Sequence, residues 1–232
     1  MKNYSFVIEG LLAGCAAPCT EEDAADIVDG NHRVLVDLRE GTHAQYPEPL
    51  TAQLSANGVR MVNIPIEDFD APSLEQMLAF CSIVKQIVDD NNNMLTNSES
   101  ETAAALMATE RNSTKTCLAS SVLVHCRAGI GRTGTMLGAA VAYVALALPV
   151  SAATRTLHDE LAQLEQQNQL PCDATVFEAE PLRIAYDEEV LVAYLRSKRD
   201  QALNVPVQRA AFHEFYTYLI SLAHASLQSN EQ

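Results

Sequence analysis

The residues best suited to chemistry are Cys126 and Arg132, which lie six positions apart at the two ends of a short loop. Two loop glycines, Gly129 and Gly131, permit positive φ angles, so successive backbone N–H groups can point inward and form a nest for a tetrahedral anion. A predicted helix that begins near Arg132 adds its positive N-terminal end, and the Arg132 guanidinium can bind two phosphate oxygens at once. The predicted phosphate-binding residues are Arg127, Ala128, Gly129, Ile130, Gly131 and Arg132.

This environment favours the thiolate form of Cys126. Helix N-termini and neighbouring cations lower the pKa of a cysteine to about 3.5–7.5 from about 8.5, so Cys126 is predicted to be a nucleophile at neutral pH. We expect His125 to orient the loop through hydrogen bonds, and Thr133 to donate its hydroxyl to the sulfur and ease its departure. The alternative is a plain strand-to-helix turn with a buried cysteine, which the combination of Cys, two Gly, Arg and Thr in this order disfavours.

The segment 125–133 matches the signature His-Cys-x5-Arg-Ser/Thr, and here the sequence resembles the cysteine-dependent protein phosphatases. The resemblance extends to one subfamily, the small atypical dual-specificity phosphatases of the VHZ type. Residues 6–18 are similar to their opening strand and turn, 64–72 to their general-acid loop, and 199–216 to their closing segment. The resemblance implies their fold and a phosphatase activity.

The resemblance also implies a two-step reaction through a phosphocysteine intermediate, which water then hydrolyses. An aspartic acid on a mobile loop protonates the leaving oxygen and becomes the base for the second step. Asp68 matches this position, with Asp70 and Glu67 as weaker candidates, and an acidic surface turn is the alternative for all three. Gln208 matches the family's glutamine, and we expect it either to position the attacking water or to lie on the solvated surface.

The elements that must position these residues alternate between strand and helix. Apolar runs predict strands over 34–38, 60–64 and 121–124, and helical spacing predicts a helix over 73–89. A long uncharged segment after Arg132 could span a bilayer by length, but its Ala and Gly content favours a helix buried in a protein core. This order predicts an α/β fold with a mostly parallel central sheet flanked by helices, as in dual-specificity phosphatases.

We expect a single domain over 1–227, with insertions at about 91–118 and 157–188 and a C-terminal tail at 228–232. The first insertion is rich in Ser, Thr, Asn and Glu, and the second is acidic and rich in Gln. Two further amphipathic helices are predicted between 190 and 227. The basic cluster Arg196, Lys198 and Arg199 is interpreted as a solvated helix face that could flank the pocket mouth.

The net charge excludes some classes of binding partner, and the cysteine content indicates a cellular compartment. With 15 Lys and Arg against 30 Asp and Glu, the formal net charge is −15, which argues against a general binder of nucleic acids or anionic membranes. The six cysteines include no Cys-x-x-Cys pair, so neither a zinc site nor any other metal or cofactor is predicted. Irregular cysteine spacing in a long chain favours reduced thiols and a cytoplasmic location, with the nucleus as a second option.

The resemblance implies a metal-independent phosphatase that acts on phosphotyrosine, and on phosphoserine and phosphothreonine, in a phosphorylated protein. Phosphoinositide phosphatases share the loop but commonly carry a second basic residue in it, whereas only Arg127 precedes the uncharged run 128–131 here. An RNA 5'-phosphatase is disfavoured by the net charge. A catalytically silent phosphate-binding adaptor stays open, although Cys126, Arg132 and a candidate acid are all present.

Overall fold

A five-stranded sheet forms the centre of the computed structural model, which describes residues 1–41, 45–105, 120–168 and 186–229. The strands are β1 (Ser5–Ile8), β2 (Leu12–Ala16), β3 (His32–Asp37), β4 (Arg60–Asn63) and β5 (Ser121–Cys126). They lie in the order β1-β2-β5-β3-β4, with β1 antiparallel to β2 and every other pair parallel. The predicted mostly parallel sheet is therefore confirmed, and the central strand β5 ends at Cys126 beside the ends of β2 and β3.

Helices cover both faces of this sheet. Alternating strand residues supply the two cores: Leu35 and Leu123 face the smaller cluster, while Val122 and Val124 face the larger one. The helices α1 (Glu21–Asp29) and α2 (Glu48–Ala56) cover the smaller cluster. The larger cluster is covered by α3 (Leu74–Ala105), α4 (Gly131–Ala147), α5 (Arg155–Asn168), α6 (Glu188–Lys198) and α7 (Pro206–Ser229).

The helix α4 is buried along nearly its whole length, between the sheet and the neighbouring helices α3, α6 and α7. Its uncharged sequence is explained by this position, because every face of the helix contacts protein. Within the described ranges, no helix combines the length and the apolar character that crossing a membrane requires. The prediction of a helix buried in the core is confirmed.

The helix α3 continues past the predicted end at residue 89 to Ala105, so the polar stretch that begins at 91 is not a loop from its start. Asn91 explains the difference. Its buried side-chain amide donates to the Ser120 carbonyl oxygen and its side-chain oxygen accepts from the Ser120 amide, both at 2.8 Å. These two bonds anchor the helix to the start of β5. The remainder of this predicted insertion, 106–119, lies outside the described residues.

The second predicted insertion, 157–188, needs a correction in its first part. Leu157 and Leu161 lie one helical turn apart on α5, and both are fully buried in the larger core. Tyr186 is buried as well, and its hydroxyl donates to the His158 carbonyl oxygen at 3.2 Å. This first part is therefore an amphipathic helix, which its acidic and Gln-rich composition did not indicate. Residues 169–185 lie outside the described part of the chain.

Candidate active site

The phosphate loop connects β5 to α4, and its tightest point is Gly129. This residue has a φ of 72°, and a Cβ atom on it would lie 2.3 Å from the Cys15 carbonyl oxygen. Both facts require glycine. Gly131 differs from the expectation of a positive φ, because it is the first residue of α4. Its missing Cβ instead makes room for Gln208, whose Nε2 lies 2.6 Å from the place a Cβ would take.

The nucleophile candidate Cys126 lies at the floor of this loop with 4% of its surface exposed. Burial by itself raises the pKa of the thiol, but the neighbouring Thr133 hydroxyl and the amides of Thr133, Gly129 and Ile130 favour the thiolate and outweigh burial. The pKa of Cys126 is therefore lowered from its usual value. The Thr133 hydroxyl is buried and bonds no other group among the described residues, which leaves its proton available for the sulfur.

Arg132 links the phosphate loop to the loop predicted to carry the general acid. One terminal nitrogen donates to the Ile66 carbonyl oxygen at 2.8 Å, and the other lies 2.6 Å from Oδ1 of Asp68. The Arg132 side chain is 6% exposed, whereas that of Asp68 is 43% exposed. The Asp68 carboxylate therefore lies against the guanidinium predicted to bind phosphate, at the solvent-facing side of the site.

The two weaker acid candidates are placed differently. Glu67 and Asp70 are exposed, and neither forms an ion pair with Arg132. An oxygen of the Asp70 carboxylate accepts from the amide of Ala71 at 2.8 Å, as in an ordinary turn. Of the three acids, the structure brings only Asp68 to Arg132, and its role as general acid stays a prediction.

His125 is fully buried behind the nucleophile. Burial lowers its pKa to about 4 despite the nearby Asp37, so the ring is neutral at pH 7. Its Nδ1 lies 3.1 Å from the Cys126 carbonyl oxygen, and its Nε2 lies 2.5 Å from the Tyr46 hydroxyl. A neutral ring satisfies both contacts when Nδ1 carries the proton and donates to the Cys126 carbonyl oxygen, while Nε2 accepts from the Tyr46 hydroxyl. This arrangement fits the predicted role of His125 in orienting the loop.

Tyr46 is a site residue that the sequence analysis missed. Arg39 holds its ring in place, with the guanidinium carbon 4.9 Å from the ring centre. Asp37 fixes Arg39 in turn, because both carboxylate oxygens accept from that side chain at 2.8–3.2 Å. The chain of contacts from Asp37 to His125 supports the loop from its buried side. In the sequence, the only indication of these supporting contacts is Asp37, a charged residue near the end of a predicted buried strand.

The remaining predicted residues divide between core and surface. Gln208 is 3% exposed at the start of α7, so the surface alternative is wrong and the side chain lies against the phosphate loop. Arg127 and Ala128 are exposed, and Ile130 is half-buried. Arg199 is half-buried and contacts the phosphate loop, so its interpretation as part of a solvated helix face is wrong.

Comparisons with known proteins identify the family and the fold. A family model described as PTP-SAK, "Swiss Army Knife protein, DSP-PTPase phosphatase domain", matches residues 1–184. The solved structure of Tk-PTP in the active form is 19% identical with a TM-score of 0.53, and the match covers 92% of this chain and 96% of that one. The structure of PTPMT1 is 15% identical with a TM-score of 0.54, over 96% and 99% of the two chains. At these identities the solved structures show a shared fold, and no curated protein matches significantly.

Proposed function

The chain belongs to the DSP-PTPase phosphatase family, and on that premise we propose that it dephosphorylates proteins on tyrosine, serine and threonine. The observation that carries the proposal is the position of Arg132. Its guanidinium lies beside the loop that lowers the pKa of Cys126, and it also contacts the Asp68 carboxylate at 2.6 Å. Arg132 therefore lies between the loop around Cys126 and a carboxylate, and a nucleophile, an anion-binding group and an acid in this arrangement would suit phosphomonoester hydrolysis.

In the first proposed step, the Cys126 thiolate attacks phosphorus, an S–P bond forms and the ester P–O bond breaks. Asp68 gives its proton to the leaving oxygen, while Arg132 and the loop amides bind the non-bridging oxygens. In the second step, water attacks phosphorus and gives its proton to Asp68, with Gln208 orienting the water. The S–P bond then breaks, and the Thr133 hydroxyl stabilises the thiolate that leaves.

The charges around the pocket favour a substrate with one phosphate group over a polyanion. Glu67 and Asp70 flank Asp68 and are exposed, Glu40 accepts from the Asp68 amide at 3.3 Å, and Asp200 is exposed beside Arg199. Arg127 is the exposed cation of the phosphate loop. Inositol phosphates carry several phosphates that need several cations, whereas a phosphorylated side chain needs only the loop itself.

Phe69 supports a protein substrate from the acid loop. It follows Asp68 directly, has a φ of 66° and is 88% exposed. An exposed aromatic ring in a backbone conformation that is costly for Phe is unusual away from functional sites. We infer that the ring packs against the phosphotyrosine ring or against an apolar neighbour of the phosphorylated residue. We also propose that the chain is a member of the VHZ-type subfamily.

The second candidate is phosphoinositide hydrolysis, since PTPMT1, which shares the fold, has been solved in complex with PI(5)P. A screen separates the candidates. Phosphotyrosyl and phosphothreonyl peptides, phosphoinositides and triphosphate-ended RNA are offered to the wild-type protein, with Cys126→Ser as the blank. We expect the highest kcat/KM on the peptides. A preference for phosphoinositides or RNA would overturn the proposed substrate class, and peptide binding without turnover would indicate an adaptor.

A further inference from the structure

Three consecutive carbonyl groups of the phosphate loop are bonded from outside the loop. The Arg127 carbonyl accepts from the Ala17 amide at 3.3 Å, the Ala128 carbonyl accepts from Nδ2 of Asn3 at 2.8 Å, and the Gly129 carbonyl accepts from the Arg199 guanidinium. In a trans peptide the N–H points opposite to the carbonyl. Carbonyls held outward therefore turn the next amides toward the inside of the loop, and the amides of Gly129 and Ile130 are among the groups that lower the pKa of Cys126.

Arg199 is the strongest of these three outer donors. It follows the last residue of α6, and Nη1 donates to the carbonyls of Asn3 and Gly14 and to the Ser5 hydroxyl at 2.8–3.1 Å, while Nη2 donates to Gly129. One guanidinium thus ties β1 and β2 to the phosphate loop. In the described part of the chain, no carboxylate lies within ion-pair distance of Arg199, so its hydrogen bonds are all to neutral oxygens.

The Gly129 peptide is the one most in need of such support. Gly129 is free to adopt many backbone conformations, and rotation of its peptide group would turn the carbonyl toward the sulfur and remove the Ile130 amide from it. The guanidinium disfavours this rotation, because a charged donor bound to the carbonyl would be left without its partner in a half-buried place.

We propose that Arg199 is a positioning residue that holds the phosphate loop in its anion-binding conformation, with Asn3 as a second and weaker support. Arg199 acts through the Gly129 carbonyl and touches neither the substrate nor the reacting atoms. The inference rests on the proposed function only in assigning the loop to phosphate. The bonds from Nη1 and Nη2 need two donor groups in the fixed, planar geometry of a guanidinium. A lysine at this position would keep the charge but not this geometry.

The test compares Arg199→Lys and Asn3→Ala with Arg196→Lys. Arg196 is the matched control, because its guanidinium donates to the carbonyls of Ala202 and Leu203 and not to the phosphate loop. Two readouts need no turnover: the pKa of Cys126, from the pH dependence of its alkylation by iodoacetamide, and the dissociation constant of orthovanadate. Kinetics on an aryl phosphate supply a third.

For Arg199→Lys we expect a raised Cys126 pKa, vanadate binding weakened about 10-fold or more, and a fall in kcat/KM of similar size. Asn3→Ala should shift the same quantities by a few-fold, and Arg196→Lys should leave them unchanged. If folded Arg199→Lys and Asn3→Ala keep the wild-type Cys126 pKa and vanadate affinity, the proposal is wrong. If Arg199→Lys fails to fold, Asn3→Ala decides. A wild-type protein that binds vanadate but rejects phosphopeptides would refute the proposed function and leave this test intact.

Discussion

The Thr133 hydroxyl is predicted to set much of the reactivity of Cys126, and Thr133→Val tests this at nearly constant volume. Valine removes the hydroxyl and keeps the methyl group that packs toward Gly14, where Cγ2 lies 3.0 Å from the place a Cβ would take. A hydrogen bond to a charged group contributes about 1.5–3 kcal/mol. At about 1.36 kcal/mol per pKa unit, its loss raises the pKa of Cys126 by about 1–2 units.

Below both pKa values, the thiolate fraction of Thr133→Val is then about 10- to 100-fold smaller than in the wild type. The assay follows iodoacetamide labelling against pH and reads it at the peptide that contains Cys126, since Cys19 is an exposed free thiol that also reacts. The acidic limb of the kcat/KM profile should shift to higher pH together with the labelling curve. Thr133→Ser is the control, because serine keeps the hydroxyl and loses the methyl group.

An unchanged Cys126 pKa in Thr133→Val would refute the reasoning. A Thr133→Ser variant as impaired as Thr133→Val would also refute it, because packing of the methyl group would then explain the effect.

Three further predictions follow from the site and the core. Asp68→Asn should lower kcat by about 10²–10⁴-fold and flatten the alkaline limb of the rate profile, with a smaller loss on aryl phosphates whose phenol is a good leaving group; an unchanged alkaline limb would exclude Asp68 as the acid. Leu161→Ala should lower the free energy of unfolding by about 2–5 kcal/mol in urea titrations, whereas Gln163→Ala, at an exposed position of the same helix, should leave it nearly unchanged. Equal effects of the two substitutions would contradict the burial of α5 in the core. Burial lowers the pKa of His32 and of His125 to about 4, so the unfolded chain binds more protons than the native protein between pH 6.5 and 4. The free energy of unfolding therefore falls as the pH falls through that window, by on the order of 3 kcal/mol per histidine. A melting temperature independent of pH across this window would contradict the assigned burial of both rings.

The sequence predicted the parts of the structure that depend on local patterns. Apolar runs located β3, β4 and β5, helical spacing located the first part of α3, and an uncharged segment located α4. The two amphipathic helices predicted between 190 and 227 correspond to α6 and α7. The phosphate loop was predictable because its chemistry needs a fixed order of residue types over nine positions. The strand β2 was not predicted, since Gly14 and Cys15 in its middle do not favour a strand, and its pairing with β1 and β5 stabilises it.

The contacts that support the site could not be predicted, because they join distant parts of the chain. Tyr46 reaches His125 across 79 positions, and Arg199 reaches Gly14 across 185. No local pattern distinguishes these two side chains from ordinary surface residues. Gln208 shows the same limit, since resemblance placed it in the family pattern but only packing against Gly131 buries it.

The central claim is that the phosphoryl group passes through the sulfur of Cys126. Rapid acid quenching of Asp68→Asn during turnover of an aryl phosphate, followed by peptide mass spectrometry, tests it directly. We predict the added mass of one phosphoryl group on the peptide that contains Cys126, and none in Cys126→Ser. Turnover without this adduct, or a phosphoryl group on another residue, would contradict the account.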